Sequence, residues 1–297
     1  MIILSDFSQT IVSSVAAQAK DLKEGDPKNM IKHIALNQLL FLRKKFGGRL
    51  IICCDADNYW RKKEFKYYKG HRQHKKDDSF LDWDLVGETV TEMKKELAEH
   101  FPYTVMEVDG AEADDIIAVL VRYFNGNELL NTGLIEKPSP IVIGSTDGDF
   151  QQLQKYKNVK QWNNVQKKFL VCESPKEYLL NHILVGDDGD NIPNICTGDE
   201  WSKARAEAVP TRATSFMHKA RFESFTKNGI DACLNETEKR NFKRNEGLVD
   251  LDLIPSDLCD KIVNTYKNYE IKGSKSKVFK YLGAHRMKLL LSSYQDF

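Results

Sequence analysis

The sequence predicts an α/β fold: a mostly parallel central sheet flanked by helices, with a smaller helical C-terminal region. Two observations carry this. Short β-branched runs alternate with helical patterns through the first half of the chain. From about residue 175 the strand signals stop, and helical and polar stretches take over.

The elements follow in order. IIL (2–4) reads as the first strand. Asp26 reads as an N-cap with Pro27 at the first helical position, opening a helix that Gly47-Gly48 closes near Phe46. RLIICC (49–54) is the second strand. Val86, Val90, Met93 and Leu97 share one face of a helix over 83–100, which ends before Pro102. YTVMEV (103–108) is the third strand, and IIAVLVRYF (116–124) continues a helix that starts near Ala111. PIVI (140–143) is the fourth strand. VKQWN (159–163) and KKFLVC (167–172) read as a further strand or hairpin at an edge. The expected organisation is an α/β core over 1–175, including a basic segment at 58–82, and a helical region over 176–297. Residues 197–246 are expected to form helices joined by mobile loops.

At 297 residues the chain is long enough to bury a core without disulfide or metal staples. Lys+Arg of 44 against Asp+Glu of 43 gives near-zero net charge, which hides a strong local separation. The six cysteines form no CxxC pair, so reduced, buried thiols in the cytoplasm are expected and a zinc site is not. The first residues lack a basic, signal-like stretch, and no run approaches ~18 apolar residues, so no membrane association is expected.

The acids fall at strand ends. Asp6 follows the first strand and Asp55 the second. Glu112, Asp114 and Asp115 follow the third, and Asp147 and Asp149 the fourth. In a parallel sheet these positions share the carboxyl edge, where sites form. Asp187 and Asp190 in VGDDGDNIPNI come from the start of the helical half. Each group has a bland reading: EADD could stabilise a helix N-terminus, Asp147-Gly148 could be a turn, and 187–190 a solvated loop. Holding at four successive strand ends at once is a harder requirement. Clustered carboxylates repel unless cations neutralise them, and an all-oxygen donor set suits two Mg²⁺ ions, for which Mn²⁺ can substitute. Two such ions about 3.5–4 Å apart activate water and stabilise the leaving oxygen of a phosphodiester. None of the seven histidines lies in these motifs, which disfavours a zinc hydrolase.

The opposite charge is concentrated in RKKEFKYYKGHRQHKK (61–76), with eight Lys/Arg against Glu64. Phe65, Tyr67 and Tyr68 interleave with the cations. Basic side chains neutralise phosphates and aromatic faces stack on unpaired bases, so the pattern points to nucleic acid beside an acidic metal pocket. The plain alternative is a solvated cationic face.

In order and spacing, DF, then D…R…YKGHR, EADD, STDGDFQQL and GDDGDNIP resemble the 5′-nuclease (flap endonuclease) superfamily. YWRKKEFKYYKGHR, NVKQW and EGLVDLDLIP are similar to its branch in T-even-type bacteriophages. The resemblance spans nearly the whole chain and implies a resolvase- or PIN-like core. It further implies a metal-dependent 5′→3′ exonuclease and flap endonuclease with ribonuclease H activity, removing RNA primers and 5′ flaps during lagging-strand replication. Asp6, Asp55, Glu112, Asp114 and Asp147 would surround the catalytic metal, and Asp149, Asp187 and Asp190 would hold or orient a second. Asp115 matches an acid of uncertain rank. Arg61 and Lys69 would contact the scissile phosphate, and Tyr68 would stack on the nucleotide beside the cut. Lys62, Lys63, Arg72, Lys75 and Lys76 would line the arch that the 5′ strand approaches. Lys203 and Arg205 would help to grip the duplex. The implied partners are RNA–DNA hybrid and 5′-flapped or forked duplex DNA, with single-strand-binding protein and sliding clamp as candidate protein partners of a monomer. One departure stands out: Asn194 replaces the glycine usual after the DNIP motif, and the repeated glycines of a potassium-binding hairpin are missing.

Two rivals remain at this stage. An aspartyl-phosphate phosphatase would use Asp6 as nucleophile, but Ser8 stands where its second acid belongs. A structure-specific DNA-binding factor with a degenerate nuclease fold would not need every acid to be present.

Overall fold

A computed structural model describes residues 1–17, 26–72, 82–126, 137–216 and 218–297. The described residues fall into two compact units. One comprises 1–57, 81–171 and 255–297, and the other 58–80 and 172–254.

The first unit is built on a six-stranded sheet. Its strands are β1 (Ile2–Asp6), β2 (Arg49–Cys54), β3 (Thr104–Glu107), β4 (Ile141–Gly144), β5 (Val159–Asn163) and β6 (Lys168–Leu170). Their spatial order is β3-β2-β1-β4-β5-β6. All pairs are parallel except β5–β6, an antiparallel edge hairpin. The chain steps outward from β1 through β2 to β3, then returns to the other side of β1 as β4. Neighbouring strands therefore lead away in opposite directions from the carboxyl ends of β1 and β4, the kind of point where α/β sheets open a crevice.

Helix Pro27–Phe46 begins and ends where the sequence places it. The Asp26 side chain accepts from the Asn29 N–H at 3.2 Å, and Gly47 turns the chain at φ +66°. Helix Trp83–His100 buries Val86, Val90, Met93 and Leu97 as the spacing predicts. Helix Phe7–Ala17 goes beyond the sequence reading, although Phe7, Ile11 and Val15, all fully buried, stand at i, i+4 and i+8.

The C-terminal helices Ser256–Lys267, Lys275–Ala284 and Lys288–Leu291 cluster with the sheet unit rather than with the helical residues that precede them. Val278, Tyr281, Leu282, Met287, Leu290 and Phe297 share one buried cluster with Leu36, Leu97 and Phe101. Phe297 is 1 % exposed, and its ring meets Phe101 edge-on at 5.4 Å. Tyr281 donates its hydroxyl to Glu96 at 2.6 Å. A single cut near residue 175 thus does not describe the compact units, because the last 43 residues (255–297) supply part of the sheet unit's core.

The second unit is helical. Helices Arg61–Glu64, Pro175–Val185, Asp199–Ala206, His218–Asn228 and Glu236–Val249 surround Phe65, Tyr68, Leu184, Ile195, Phe225 and Phe242. Buried asparagines hold the loop between Val185 and Asp199. Asn245 donates to the carbonyls of Ile183 and Pro193 at 2.8 and 2.9 Å, and Asn241 to those of Ile195 and Thr197 at 2.8 and 3.1 Å. Asn191 donates to Tyr67 and Ser202 carbonyls, both at 2.9 Å. These bonds satisfy carbonyls that a loop without regular pairing would leave buried and bare.

Cys53 and Cys54 are buried as expected, whereas Cys172, Cys196, Cys233 and Cys259 are only half-buried. Among the described residues, no helix is long and apolar enough to cross a membrane. Phe297→Ala is expected to cost about 3–5 kcal/mol, the usual price of emptying an aromatic core site. Thermal unfolding of the variant checks it.

Candidate metal centre

The sheet unit delivers its acids on short, fixed leads. Asp6 is the last residue of β1, and Asp55 comes directly after β2. Glu112 is the N-cap of helix Ala113–Asn125, which follows β3 and carries Asp114 in its first turn. Asp147 caps the 3₁₀ helix Gly148–Lys155 after β4, its Oδ1 accepting the Asp149 N–H at 3.0 Å.

Asp6 is 3 % exposed. Burial, and then the charges of Asp55 and Asp147, push its carboxyl up to about 8 from an ordinary 3.8, against the hydrogen bonds from Gln9 and Ser145. Burial also raises the neighbouring Cys53 thiol, with added contributions from Cys54, Asp6, Asp114 and Asp55. Asp55 and Asp147 thus act on Asp6, and Asp6, Asp55 and Asp114 act on the Cys53 thiol, at the carboxyl edge. Asp55 Oδ1 accepts the Ala113 N–H at 2.9 Å, which joins the end of β2 to the helix that bears Glu112 and Asp114. Glu112 is 2 % exposed. A buried carboxyl held so far above its ordinary value is in want of a counter-charge. The donors here are all carboxylate oxygens, so hard divalent cations fit.

Asp115 answers to the bland reading. Fully buried, its Oδ2 accepts the Glu112 N–H at 2.9 Å and closes a capping box at the helix start. It shapes the presentation of Glu112 and Asp114.

Four residues that sequence reasoning missed hold the acids in place. Ser145 donates to Asp6 Oδ2 and accepts the Asp147 N–H, both at 3.1 Å. Gln9 accepts the Thr146 N–H at 3.2 Å. Gln161, fully buried on β5, donates to the carbonyls of Ser145 and Asp147. Lys94 donates to the Asp55 carbonyl and, at 3.1 Å, to Glu107. The signal for Ser145 lay in its place beside Asp147. Nothing in the sequence separates Gln161 from any other strand glutamine.

The remaining predicted residues belong to the helical unit. Asp187 Oδ1 accepts the Asp190 N–H at 3.0 Å, and its Oδ2 lies 3.2 Å from His182 Nε2. Burial pushes the Asp187 carboxyl up, but His182 and the Asp190 and Gly189 N–H groups outweigh it, so the net shift is downward. Asp190 is engaged within the protein. It accepts from the Tyr68 hydroxyl and from Arg72, both at 2.6 Å, and the Lys69 ammonium stands at 3.6 Å.

Two roles implied by resemblance do not match these positions. Tyr68 is 3 % exposed, with its ring in the core and its hydroxyl on Asp190, so it presents no face for a nucleotide. Arg61 is 3 % exposed, lies over the Trp60 ring at 4.6 Å and donates to the Leu248 carbonyl at 2.7 Å, which makes it an anchor of the fold. Lys62, Lys63 and Lys203 are exposed, and Arg72 has a half-exposed side chain. Arg205 pairs with Asp188 at 2.8 Å and stacks on Trp201 at 4.4 Å. Lys75 and Lys76 lie outside the described residues.

A carboxyl whose folded value exceeds its unfolded one binds its proton more tightly in the folded protein. Its contribution is present below pH ~4 and is lost as pH rises towards ~8. The metal-free protein is therefore expected to lose stability across that window, and Asp6→Asn to flatten the loss and to remove the stabilisation gained on adding divalent cations. Melting in a chelator and in Mg²⁺ at pH 5 and pH 8 measures both.

The model of the 5′–3′ exonuclease N-terminal resolvase-like domain matches residues 3–179, and that of the T4 RNase H C-terminal domain matches 173–297. The chain is 32% identical to ribonuclease H of Enterobacteria phage T4 over 306 aligned positions, covering 100% of this chain and 95% of that protein. It is 30% identical to the flap endonuclease Xni of Shewanella piezotolerans over 46% of this chain and 49% of the relative. The fold is similar to that of the phage T5 D15 protein co-crystallised with metal ions, with a TM-score of 0.59 at 16% identity, covering 89% of this chain and 97% of that one. With a family model over residues 3–179 and a full-length relative, the chain belongs to the 5′–3′ exonuclease family of metal-dependent nucleases, in the branch that carries the T4 RNase H C-terminal domain.

Proposed function

We propose that this chain is a divalent-metal-dependent 5′→3′ exonuclease and flap endonuclease with ribonuclease H activity. It cuts phosphodiester bonds in RNA–DNA hybrid and in 5′-flapped or forked duplex DNA, and so removes primers and flaps behind a replication fork. The observation that supports this reading is the buried Asp6 at the end of β1, pushed up to about 8 by burial and by the charges of Asp55 after β2 and Asp147 after β4. Similarity along the whole chain to a phage ribonuclease H supports the substrate class. So does a fold shared, at a TM-score of 0.58, with a T5 flap endonuclease recorded with DNA and metal ions.

Mg²⁺ is the ion we assign, two per active chain, with Mn²⁺ able to substitute. Asp6, Asp55, Glu112, Asp114 and Asp147 would hold the first, with Asp149 beside them. When bound, such ions lower the pKa of water and offset charge on the leaving oxygen. The chain supplies the rest. Ser145, Gln9 and Gln161 fix the direction in which Asp6 and Asp147 point. The exposed Lys62 and Lys63 and the half-exposed Arg72 meet phosphates, and Lys203 adds to that field. Lys69, its ammonium 3.6 Å from Asp190, is the cation of the arch best placed to exchange a carboxylate for a phosphate. The reading suits a cytoplasmic monomer working beside a single-strand-binding protein and a sliding clamp.

Asn at position 147 keeps the oxygen that caps the 3₁₀ helix but drops the charge. Asp147→Asn is therefore expected to fold normally and to cut a 5′-labelled flap duplex more than about 100-fold slower in Mg²⁺, beyond the range seen when a ligand merely loses a supporting partner. Cleavage at the parent rate would overturn the reading. Lys62→Ala and Lys63→Ala are expected to weaken binding to flapped duplex with little change in single-turnover rate. Each is expected to make the slope of log K against log salt shallower by about 1, measured by fluorescence anisotropy in Ca²⁺.

A further inference from the structure

The GDDGDN turn of the helical unit offers two carboxylates, Asp187 and Asp190, and they are not equivalent. Asp190 is spent inside the protein on Tyr68, Arg72 and Lys69. Asp187 meets no Lys or Arg side chain in these contacts: its partners are the Asp190 N–H and the imidazole of His182. Helix Pro175–Val185 ends at Gly186, whose φ is +74° and where a Cβ would fall 2.3 Å from the Ile192 carbonyl oxygen. Only glycine fits there, and the turn it makes sends Asp187 back over the last helical turn, which carries His182. The Asp187 carbonyl and N–H both pair with Ile192, so the residue's backbone is fixed. Its side-chain Oδ1 is held by the Asp190 N–H at 3.0 Å, which leaves Oδ2 as the oxygen turned to His182.

The separation of His182 Nε2 from Asp187 Oδ2 is 3.2 Å, with the two side chains 13 % and 26 % exposed. Donors bound at ~2.0–2.2 Å to one ion stand about 3.0 Å apart when adjacent on an octahedron and about 3.4 Å apart on a tetrahedron. The observed gap lies between these values. It also suits a simple His–Asp ion pair, and the two states differ in what Nε2 carries: a proton in the pair, a metal in the site.

We propose that His182 Nε2 and Asp187 Oδ2 together ligate a divalent cation, and that the imidazole nitrogen gives this position a preference for Mn²⁺, Co²⁺ or Zn²⁺ over Mg²⁺. The proposal rests on the reading of the chain as a metal-dependent nuclease and adds to it a nitrogen donor that the acidic motifs lack. Imidazole suits the later first-row ions, whereas Mg²⁺ keeps to oxygen and gives up water reluctantly.

The test uses the full-length protein with ¹⁵N-labelled histidine, titrated with Zn²⁺ alone. Ligation is expected to move the His182 Nε2 resonance and to lock the ring with its proton on Nδ1, while the other six histidine rings move less. His182→Gln is expected to raise the Zn²⁺ and Mn²⁺ Kd of one site at least tenfold and the Mg²⁺ Kd by much less, by calorimetry. His182→Asn serves if the glutamine variant fails to fold, and the ring resonances of the parent protein need no variant at all. A His182 Nε2 resonance that stays put at saturating Zn²⁺ would sink the proposal, as would unchanged Zn²⁺ affinity in a folded His182 variant. If Asp6→Asn and Asp147→Asn lose metal while His182 proves indifferent, the nuclease reading stands and the imidazole ligand falls. If those two variants bind metal and cut like the parent, the nuclease reading falls with it.

Discussion

The molecule depends on keeping like charges together where water is scarce. Asp6 sits at the end of a central strand, 3 % exposed, with Asp55 on one flank and Asp147 on the other. Burial alone would drive such a carboxyl towards neutrality, and its neighbours push the same way. The fold does not relieve this by spreading the acids apart. It fixes them: Asp6 through Ser145 and the Gln9 N–H, Asp55 through the Ala113 N–H, and Asp147 through its own cap and through Gln161 beneath the loop. A site held this rigidly against its own repulsion is pre-organised for cations. Few of these contacts are ionic. They are main-chain and neutral side-chain bonds, which hold position without supplying a counter-charge.

In the helical unit acids are used differently. Glu238 is matched by Arg221 at 2.6 Å, and Asp199 by Arg244 at the same distance. Asp190 ties the basic segment to the GDDGDN turn through Tyr68, Arg72 and Lys69. Lys69 sits at φ +56° and donates no strand or helix bond, but its N–H reaches the Asp190 carbonyl at 2.9 Å. Main chain and side chain of one aspartate thus gather the root of the cationic segment. Ion pairs build this unit, whereas main-chain and neutral side-chain bonds position Asp6 and Asp55 at the edge of the sheet.

Much of this was legible in the sequence, and the reasons are physical. Strands buried on both faces must be apolar throughout, so IIL, RLIICC and PIVI could be read directly. Asp26-Pro27 and Gly47 announce a helix's ends because few other residues satisfy those positions. Carboxylates at strand ends could be placed together because a parallel sheet puts every carboxyl end on one edge. What the sequence does not display is which apolar face meets which. The last stretch reads only as helical, and nothing local says that Val278 and Leu282 share a core with Leu36 and Leu97 across more than 180 residues. Gln161 is silent for the same reason: its role exists only once β5 lies beside β4.

Motif resemblance names residues but not their states. Asp114 and Asp115 are adjacent in EADD, and helical geometry turns one towards the acidic edge while the other closes the capping box. Tyr68 and Arg61 match the motif that assigns them to substrate, yet both side chains are buried and bonded within the protein. A stacking face must be reachable, and a phosphate contact needs an exposed guanidinium, whereas Tyr68 and Arg61 are each 3 % exposed. By that standard the proposed phosphate contacts of the basic segment pass to the exposed lysines at 62 and 63. Arg61 and Tyr68 supply the platform from which they project.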